Sequence, residues 1–393
     1  MVEEEPEPEV EQDESLPLVH LIHTGGTIAS KVDYRTGAVS ARFTPNELLD
    51  SVPELRGIAR IRAVNLGSMW SDDIRPRHWN RMLQATSEAF SEGAVGVVIT
   101  HGTDTLHISA AAMSYGWAGR GGRPPGRIVL TGAQRAPDRG WSDAAENLIA
   151  AVHWAAHGPE PTGYRDSSVV VLHAGSSDGS CAVLPGCATR KYHSSRRDAF
   201  KSINQGPIAH VGLGPDGPSI EMGEPSAYDA RTEAIAPMMF EESTRIAQFV
   251  ADAHLQPDMV QAAIDANYDA MLFHGTGLGH LPIADPQEDS PENTRLRIML
   301  ADHCAAGGVV VVVTQTIHGP IHMDVYDKGR DQQEMGIIGH GSLCPPSSAL
   351  VKLHPLLSRD EGRDAVADGW DSGPVGSSEA RCALTDCRSR LSL

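Results

Sequence analysis

Short, continuous apolar runs alternate with amphipathic segments along most of the chain, beginning with LVHLIH near residue 20. Similar runs at 94–100, 126–133 and 167–175 predict buried strands. Apolar residues at helical spacing predict helices through Trp79, Met82, Leu83 and Phe90, after residue 105 and over 143–154. β-Branched runs that alternate with helices are typical of a parallel sheet covered on both faces. The predicted fold class is therefore α/β, with a doubly wound parallel-sheet N-terminal domain of the Rossmann or flavodoxin-like kind.

Two of these helices carry sequence signals for their first turn. Thr44-Pro45-Asn46-Glu47 combines a capping residue, a proline at the first helical position and a glutamate in capping-box register, before the apolar face of Leu48, Leu49 and Val52. Glu146 likewise stands three residues after Asp143, which predicts a second cap of the same kind.

The pattern divides the chain into five regions. A second, smaller α/β domain is predicted over 243–357 from the runs at 270–277 and 309–314 and the helical segment 291–306. The Gly- and Pro-rich stretch 213–242 is predicted to be a linker after the N-terminal domain at 16–212. Residues 1–15 are predicted to be a disordered acidic tail, and residues 358–393 a loose C-terminal tail.

Charge limits the classes of ligand that this chain can bind over a broad surface. The 393 residues have a formal net charge of −19, and residues 3–14 contribute eight carboxylates and no base, which leaves about −11 for the rest. Sequence-independent binding to phosphate backbones or anionic membranes depends on clustered Lys and Arg. An RNA-linked role is therefore expected to lie in a local site or in a partner.

Several other classes are disfavoured by the sequence. Apolar stretches are far shorter than the roughly 18 residues that span a bilayer, and the N-terminus is acidic where a secretory signal is basic, so a cytoplasmic location is predicted. The six cysteines lack metal-site spacing and are too sparse for a disulfide framework. His318 and His322 lie four apart, but Gly319 and Pro320 break any helix that would put both on one face, so no metal site is expected. GLGPDG (212–217) and TGGTIASK (24–31) lack the context of a nucleotide-binding loop, and no cofactor is assigned to this chain.

Two apolar strands run directly into turns rich in glycine and threonine, at HLIHTGGTIAS (20–30) and VVITHGTDTLH (97–107). Open α/β sheets bind ligands at the carboxyl ends of their strands, and glycine lets the backbone approach a substrate closely. A threonine nucleophile requires a neighbouring base, for which Lys191 in TRKYHSSRRDAF is a candidate. Helix capping would explain either threonine turn alone, but two such turns together with Asp104 favour chemistry. For Lys191, local sequence alone favours a solvated basic loop.

Four motifs, TGGTIA, HGTDT, GAQR and SDAAENL, resemble those of the L-asparaginase/glutaminase amidohydrolase family in order and spacing. More narrowly, the stretches at 32–41, 189–209, 274–282 and 323–330 are similar to the family of D subunits in archaeal glutamyl-tRNA(Gln) amidotransferases. The resemblance covers about residues 18–353 and implies an asparaginase-like fold. Members of that narrower family carry a small β-rich domain before the first strand, where this chain has its acidic tail.

The resemblance also implies roles for individual residues. Thr27 would attack the side-chain amide carbon, with Tyr34 assisting its hydroxyl, and Thr103, Asp104 and Lys191 would form a second, proton-transferring cluster. Residues expected to bind the substrate share a position in turns at the strand ends; they are Gly26, Ser71, Asp72 and Gly102. No metal ligand is implied.

The function implied is a glutaminase that releases ammonia, within a homodimeric core, for a tRNA-dependent amidotransferase. Its partner, the E subunit of such an enzyme, would use ATP and Mg²⁺ to activate Glu-tRNA(Gln) and would make most of the contacts with that tRNA. Two alternatives stay open at this stage: a free-standing cytoplasmic L-asparaginase, and a non-catalytic amino-acid-binding scaffold.

Overall fold

The computed structural model describes residues 12–26, 28, 30–32, 39–41, 51–137, 140–223, 229–358 and 362–371. These residues form two compact units. The first contains the described residues up to Ala118, Gly122–Ser202 and Gly206–Pro237, and the second contains Gly119–Gly121, Ile203–Gln205 and those from Met238 onward. No helix of this described part is long and apolar enough to cross a membrane. The capped helix predicted at Thr44 lies outside the described residues.

Twelve strands are seen in the described part of the first unit. They are β1 (Leu18–Gly25), β2 (Ser30–Val32), β3 (Val39–Ala41), β4 (Arg60–Met69), β5 (Gly96–Thr100), β6 (Arg127–Thr131), β7 (Val169–His173), β8 (Ser180–Pro185), β9 (Thr189–Lys191), β10 (Phe200–Ser202), β11 (Ala209–Gly214) and β12 (Gly217–Met222). Eight of them form one sheet in the order β12-β11-β8-β7-β6-β5-β1-β4, and β2 with β3 and β9 with β10 form two small pairs.

The predicted parallel sheet is confirmed for β4, β1, β5, β6 and β7, which run in one direction. The remaining side of the sheet differs, because β8, β11 and β12 pair antiparallel. Short connections explain the antiparallel pairs β7–β8 and β11–β12, because parallel pairing needs a longer crossover. The antiparallel pair β8–β11 is instead joined by a longer segment that contains β9 and β10. The carboxyl ends of the five parallel strands share one edge of the sheet.

Helices cover both faces of the parallel strands, as predicted. They are α1 (Pro76–Ser91), α2 (Leu106–Ala118) and α3 (Ala144–His157), together with 3₁₀ turns at Pro53–Gly57, Ser71–Asp73 and Gly186–Ala188. Alternate strand residues such as Val98 and Val129 pack with Leu148 of α3 in one apolar cluster. Their neighbours Val97 and Ile128 are equally buried and point to the other face, because side chains alternate along a strand.

The predicted linker at 213–242 begins inside the sheet. Gly214 pairs with Gly217 across a tight turn, and β12 then forms the edge strand beside β11. Gly217 has a φ of +101°, so the glycines of GLGPDG serve a hairpin turn that requires left-handed backbone. The first unit continues to Pro237.

The acidic N-terminal segment is ordered at its described end. The Gln12 side chain donates to the carbonyl of Ile61 at 2.9 Å and accepts from the N–H of Ile61 at 2.6 Å. The expectation of a disordered tail is therefore wrong for Gln12, because its amide satisfies the backbone of the edge strand β4. Residues 1–11 lie outside the described part.

The second unit is built on a three-stranded parallel sheet in the order β13-β14-β15. Its strands are β13 (Ile246–Val250), β14 (Ala270–Gly275) and β15 (Val309–Thr314), and its described helices are α4 (Pro257–Asp265), α5 (Pro291–Ala305), α6 (Asp327–Glu334), α7 (Pro346–Leu357) and α8 (Gly362–Asp371). Phe273 and Val312 pack with Leu296 of α5 on one face. Leu272 and Val311 pack with α7 and α8 on the other. The predicted smaller α/β domain is thereby confirmed.

Part of the predicted C-terminal tail belongs to this core. Val366 and Trp370 lie one helical turn apart on α8, and Trp370 is fully buried. The expectation of a loose segment is wrong for these residues, since this single apolar stripe suffices to anchor a helix that is otherwise polar. Residues 372–393 lie outside the described part.

Candidate active site

The two glycine- and threonine-rich turns lie side by side because β1 and β5 are parallel neighbours. His23 is paired with Thr100 in the strand register, and its Nδ1 lies 3.0 Å from the Thr100 hydroxyl. The Thr24 hydroxyl donates to the Thr100 carbonyl at 2.9 Å. The sheet topology therefore brings the described start of TGGT, residues 24–26, next to HGTDT, as their positions after strands predicted.

Two of the predicted substrate-binding glycines allow these turns to touch. Gly26 has a φ of +86°, and a Cβ placed on it would lie 2.6 Å from the amide nitrogen of Gly102. A Cβ on Gly102 would lie 2.8 Å from Cβ of Ser71, whose carbonyl accepts a 2.5 Å hydrogen bond from the Thr105 hydroxyl. Gly26, Gly102 and Ser71 are thus brought together, and Asp72 follows on an exposed 3₁₀ turn.

Lys191 reaches the HGTDT turn from β9. Its ammonium donates to the Thr103 hydroxyl and to one carboxylate oxygen of Asp104, each at 2.8 Å. The lysine side chain is only 9% exposed, whereas that of Asp104 is 72% exposed. The solvated-loop interpretation is therefore wrong for Lys191, although it describes Arg196, which is 57% exposed beside Asp198.

The antiparallel pairing of β9 with β10 fixes where this lysine lies. Lys191 is opposite Phe200, which is buried, and the 3₁₀ turn Gly186–Ala188 directly precedes β9. The hydroxyl of Thr189 donates to the carbonyl of Pro185 at 2.6 Å, which closes that turn. Lys191 is thereby held in direct contact with Thr103 and Asp104, which lie 88 and 87 positions earlier in the sequence.

Two buried histidines lie close to this cluster and are neutral at pH 7. Burial lowers the pKa of His101 to about 4, even though its Nδ1 donates to the Gly102 carbonyl at 2.7 Å. Burial also lowers the pKa of His107 to about 4, with further lowering by the positive charges of Arg190 and Lys191. Asp104 is therefore the charged partner of the Lys191 ammonium, and neither histidine adds a second positive charge beside it.

Thr27 and Tyr34 lie outside the described residues, so their predicted roles as nucleophile and assisting hydroxyl stay predictions. The described part of the predicted catalytic set, Thr103, Asp104 and Lys191, is assembled as expected.

Sequence reasoning missed a buried network that supports the cluster. The Asp143 carboxylate, which is fully buried, accepts 3.0 Å hydrogen bonds from the backbone N–H groups of Gln134 and Arg135. Asn147 donates to Asp143 at 3.0 Å and to the Gly132 carbonyl at 2.9 Å. The loop after β6 is thus tied to α3.

This loop after β6 packs closely against the HGTDT turn. A Cβ on Gly132 would lie 2.6 Å from the carbonyl of His101 and 3.1 Å from Cγ2 of Thr103. The motifs GAQR and SDAAENL contain the residues of this network, but no local sequence signal shows that they meet, because the contacts join separate elements.

The predicted cap at the start of α3 is wrong in its contacts. Asp143 makes no side-chain capping bond to the helix, because its carboxylate is already occupied by the loop that follows β6. Glu146 turns to His173, whose Nε2 is 3.0 Å away, and accepts from the N–H of Gly179 at 3.0 Å. Both acids serve tertiary contacts.

Among the described residues, two clusters have side chains close enough together to hold a metal ion. One contains Glu146, His173 and Asp178, and the other contains His322, Asp324 and His340. Neither includes Thr103, Asp104 or Lys191.

Comparisons with known proteins place this chain among amidohydrolases. Residues 18–223 match the family model "Asparaginase, N-terminal", and residues 245–368 match "Glutaminase/Asparaginase C-terminal domain". The chain is 36% identical over 353 residues to the D subunit of the glutamyl-tRNA(Gln) amidotransferase of Thermofilum pendens, covering 89% of this chain and 72% of that protein. It is 37% identical over 371 residues to the protein of the same name from Methanosarcina mazei, covering 93% and 80%.

Solved structures agree with these matches at the level of the fold. The thermostable L-asparaginase from Thermococcus kodakarensis superposes with a TM-score of 0.73 at 24% identity, covering 92% of this chain and 99% of that one.

Proposed function

The chain belongs to the asparaginase/glutaminase family, and we propose that it is the ammonia-generating D subunit of a tRNA-dependent amidotransferase. In this function it hydrolyses the side-chain amide of glutamine. The ammonia released would convert Glu-tRNA(Gln) to Gln-tRNA(Gln) on a partner. Relatives named for that enzyme align over about nine-tenths of this chain, which supports the amidotransferase role rather than the family alone.

The observation that carries the chemistry is the contact of Lys191 with Thr103 and Asp104. A general base must lie within about 2.6–3.2 Å of the group whose proton it takes, and the 2.8 Å contact of Lys191 with the Thr103 hydroxyl satisfies this. A scaffold that only binds an amino acid has no need of a lysine buried against a threonine hydroxyl.

The reaction follows from these groups in two steps. The Thr27 hydroxyl attacks the amide carbon with help from Tyr34, the C–N bond breaks, and the nitrogen leaves as ammonia after gaining the proton that Thr27 loses. Water then attacks the acyl-enzyme, and Thr103 relays the water's proton to Lys191, which acts in this step as the neutral amine. The ester bond to Thr27 breaks, Lys191 returns the proton to the Thr27 oxygen, and glutamate is released. Asp104 orients the lysine and binds the substrate ammonium, while Ser71, Asp72, Gly26 and Gly102 bind its amino-acid end.

The phosphate chemistry of the full reaction is assigned to the partner. The E subunit of the amidotransferase would use ATP and Mg²⁺ to activate Glu-tRNA(Gln) and would make most of the tRNA contacts. A formal net charge of −19 supports this division, because it makes an extended RNA-binding surface on this chain unfavourable. We place the complex in the cytoplasm, around a homodimer of this chain.

The nucleophile assignment is tested by ammonia release from glutamine and asparagine. Thr27→Ala is expected to lower release by about 1,000-fold or more, since losing a nucleophile removes the covalent route. Thr294→Ala, at an exposed position of α5, is the matched control and is expected to keep wild-type activity. Wild-type release by Thr27→Ala, with the control unchanged, would show that another group attacks the amide.

A further inference from the structure

A second cluster of polar side chains lies in the first unit, apart from the contacts of Lys191. His173 ends β7, Glu146 lies in the first turn of α3, and Asp178 lies in the loop between β7 and β8. One potential ligand atom from each lies within 4.8 Å of the others. Three separate segments supply these residues, so their spacing in sequence gives no sign of a shared site.

Hydrogen bonds fix which nitrogen of His173 carries the proton. The amide nitrogen of Asn147 donates to the Gly132 carbonyl and to Asp143, so its oxygen must face the histidine. His173 Nδ1 lies 2.7 Å from that oxygen. Because an amide oxygen only accepts, Nδ1 carries the hydrogen, and the neutral ring presents a lone pair at Nε2.

That lone pair points into the acidic cluster. The His173 side chain is fully buried, Nε2 has no hydrogen-bond partner, and the nearest acidic atom is Glu146 Oε2 at 3.0 Å. A lone pair this close to a carboxylate is repulsive unless a proton or a metal ion lies between them.

The surrounding charge and the outer contacts suit a divalent ion. Three carboxylates, those of Asp143, Glu146 and Asp178, and one guanidinium, that of Arg197, leave a net charge of −2. A histidine that ligates a metal characteristically donates its other N–H to a fixed acceptor, as His173 does to Asn147. One imidazole with carboxylates suits ions of the series from Mn²⁺ to Zn²⁺.

We propose that Glu146, His173 and Asp178 bind a divalent transition-metal ion of the series from Mn²⁺ to Zn²⁺. The ion joins the start of α3 to the end of β7 and to the following loop. Through Asn147 and the Gly132 carbonyl, the same residues support the loop that contacts Thr103. The ion has no part in amide hydrolysis, so its binding is independent of the proposed function.

The other cluster provides an internal control. Nδ1 of His340 accepts a 3.1 Å hydrogen bond from the backbone N–H of Met323, which puts the ring proton on Nε2. This proton faces Asp324, whose carboxylate oxygen is 3.6 Å away. No lone pair of His340 is turned towards its acidic neighbour, so replacing this ring is expected to leave ion binding by Glu146, His173 and Asp178 unchanged.

The test is equilibrium dialysis of the full chain against Zn²⁺ and, separately, Mn²⁺, after removal of metals with EDTA. Wild type is expected to retain about one ion per chain. Glu146→Gln keeps an acceptor for the Gly179 N–H and is expected to weaken binding about 100-fold, as is His173→Gln. Asp178→Asn, at an exposed position, is expected to weaken it about 10-fold. His340→Gln is the matched control and is expected to bind like wild type.

Folding is checked separately by the thermal unfolding midpoint of each variant in EDTA, where the ion makes no contribution. Added Zn²⁺ is expected to raise the midpoint of wild type and of His340→Gln, and to leave that of Glu146→Gln unchanged. Wild type that retains no ion, or retention that Glu146→Gln and Asp178→Asn leave unchanged, would overturn the proposal. Ammonia release by the metal-free wild type reports on the proposed function independently.

Discussion

The side chain of Lys191 is nine-tenths buried although two further arginines follow it closely in sequence. Arg196, which is 57% exposed, pairs with Asp198, and Arg197, which is 16% exposed, pairs with the exposed Asp178. Lys191 instead donates to a threonine hydroxyl and an aspartate at the carboxyl edge of the sheet. Burial and a threonine partner, which local sequence does not show, therefore distinguish Lys191 from the exposed Arg196.

Replacing this lysine tests the assignment directly. Lys191→Met keeps most of the apolar stem but removes the group that takes the proton, so ammonia release from glutamine is expected to fall by about 100-fold or more. Lys201→Met, on the paired strand β10 with a 47% exposed side chain, is expected to stay within about twofold of wild type. Unchanged release and an unchanged pH profile in Lys191→Met would reassign the base.

The buried histidines predict how stability depends on pH. The pKa of His107 is about 4 in the folded chain and near 6.5 when exposed, so the unfolded state binds more protons between these values. Stability is full above pH 6.5 and falls as the pH decreases towards 4. His107 alone is expected to account for roughly 2 kcal/mol of the loss between pH 7 and 5.

Urea unfolding at pH 7 and pH 5 measures this effect. His107→Gln is expected to lose less stability between the two pH values than wild type does, because a glutamine has no proton to gain. His254→Gln, at an exposed histidine of the second unit, serves as the control and is expected to follow wild type. Equal losses in His107→Gln and wild type would contradict the assignment of a depressed pKa to His107.

Among the elements, the turns after β1, β5 and β6 show how short segments build the site. The parallel register of β1 with β5 and of β5 with β6 aligns their carboxyl ends, and glycines at 26, 102 and 132 remove the side chains that would keep the turns apart. The sequence predicts these strands and turns. It does not predict the clamp of Asp143 and Asn147 on the third turn, since that contact joins positions on separate elements.

Helix α8 was not predicted from the sequence, because most of its residues are polar. Lys352 of α7 is fully buried, donates to the carbonyl of Trp370 and lies 4.9 Å from the centroid of its ring. A ring that covers a buried ammonium contributes both apolar packing and a cation–π contact. Because the segment 362–371 is mostly polar, its sequence gives little sign that Val366 and Trp370 anchor it in the core.

Truncation of this ring measures how firmly α8 is held. Trp370→Ala is expected to destabilise the second unit by about 3–5 kcal/mol, because it opens a cavity and uncovers a buried charge. Asp368→Ala, at an exposed position of the same helix, is expected to change stability by less than about 0.5 kcal/mol. The free energy of unfolding from urea titration distinguishes them, and a loss below about 1 kcal/mol in Trp370→Ala would mean that α8 is not part of the core.

For the whole molecule, the fold class was predictable because buried strands and helices each leave a periodic pattern of apolar residues. That pattern can be read from short stretches of sequence. The antiparallel strands β8, β11 and β12 were not distinguished, since a strand's direction depends on its connections. Of the candidate site, the family resemblance implied a cluster of Thr103, Asp104 and Lys191, and the structure places these three side chains in contact. The supporting polar network required coordinates, because it joins segments that have no fixed spacing.

Net charge and chemistry suggest a division of labour in the proposed complex. An acidic chain with a buried lysine and threonine pair is suited to a small zwitterionic substrate, and the tRNA is left to a partner. On this account, ammonia release serves the partner's activated substrate, so coupling between the two proteins is expected.

The most direct test is ammonia release from glutamine and from asparagine by the full chain, with and without the E subunit, Glu-tRNA(Gln), ATP and Mg²⁺. The account predicts hydrolysis of glutamine that rises when the charged partner is present. Rapid hydrolysis of asparagine that is indifferent to the partner would contradict it and would identify a free-standing asparaginase, whereas no ammonia under any condition would leave only a binding scaffold.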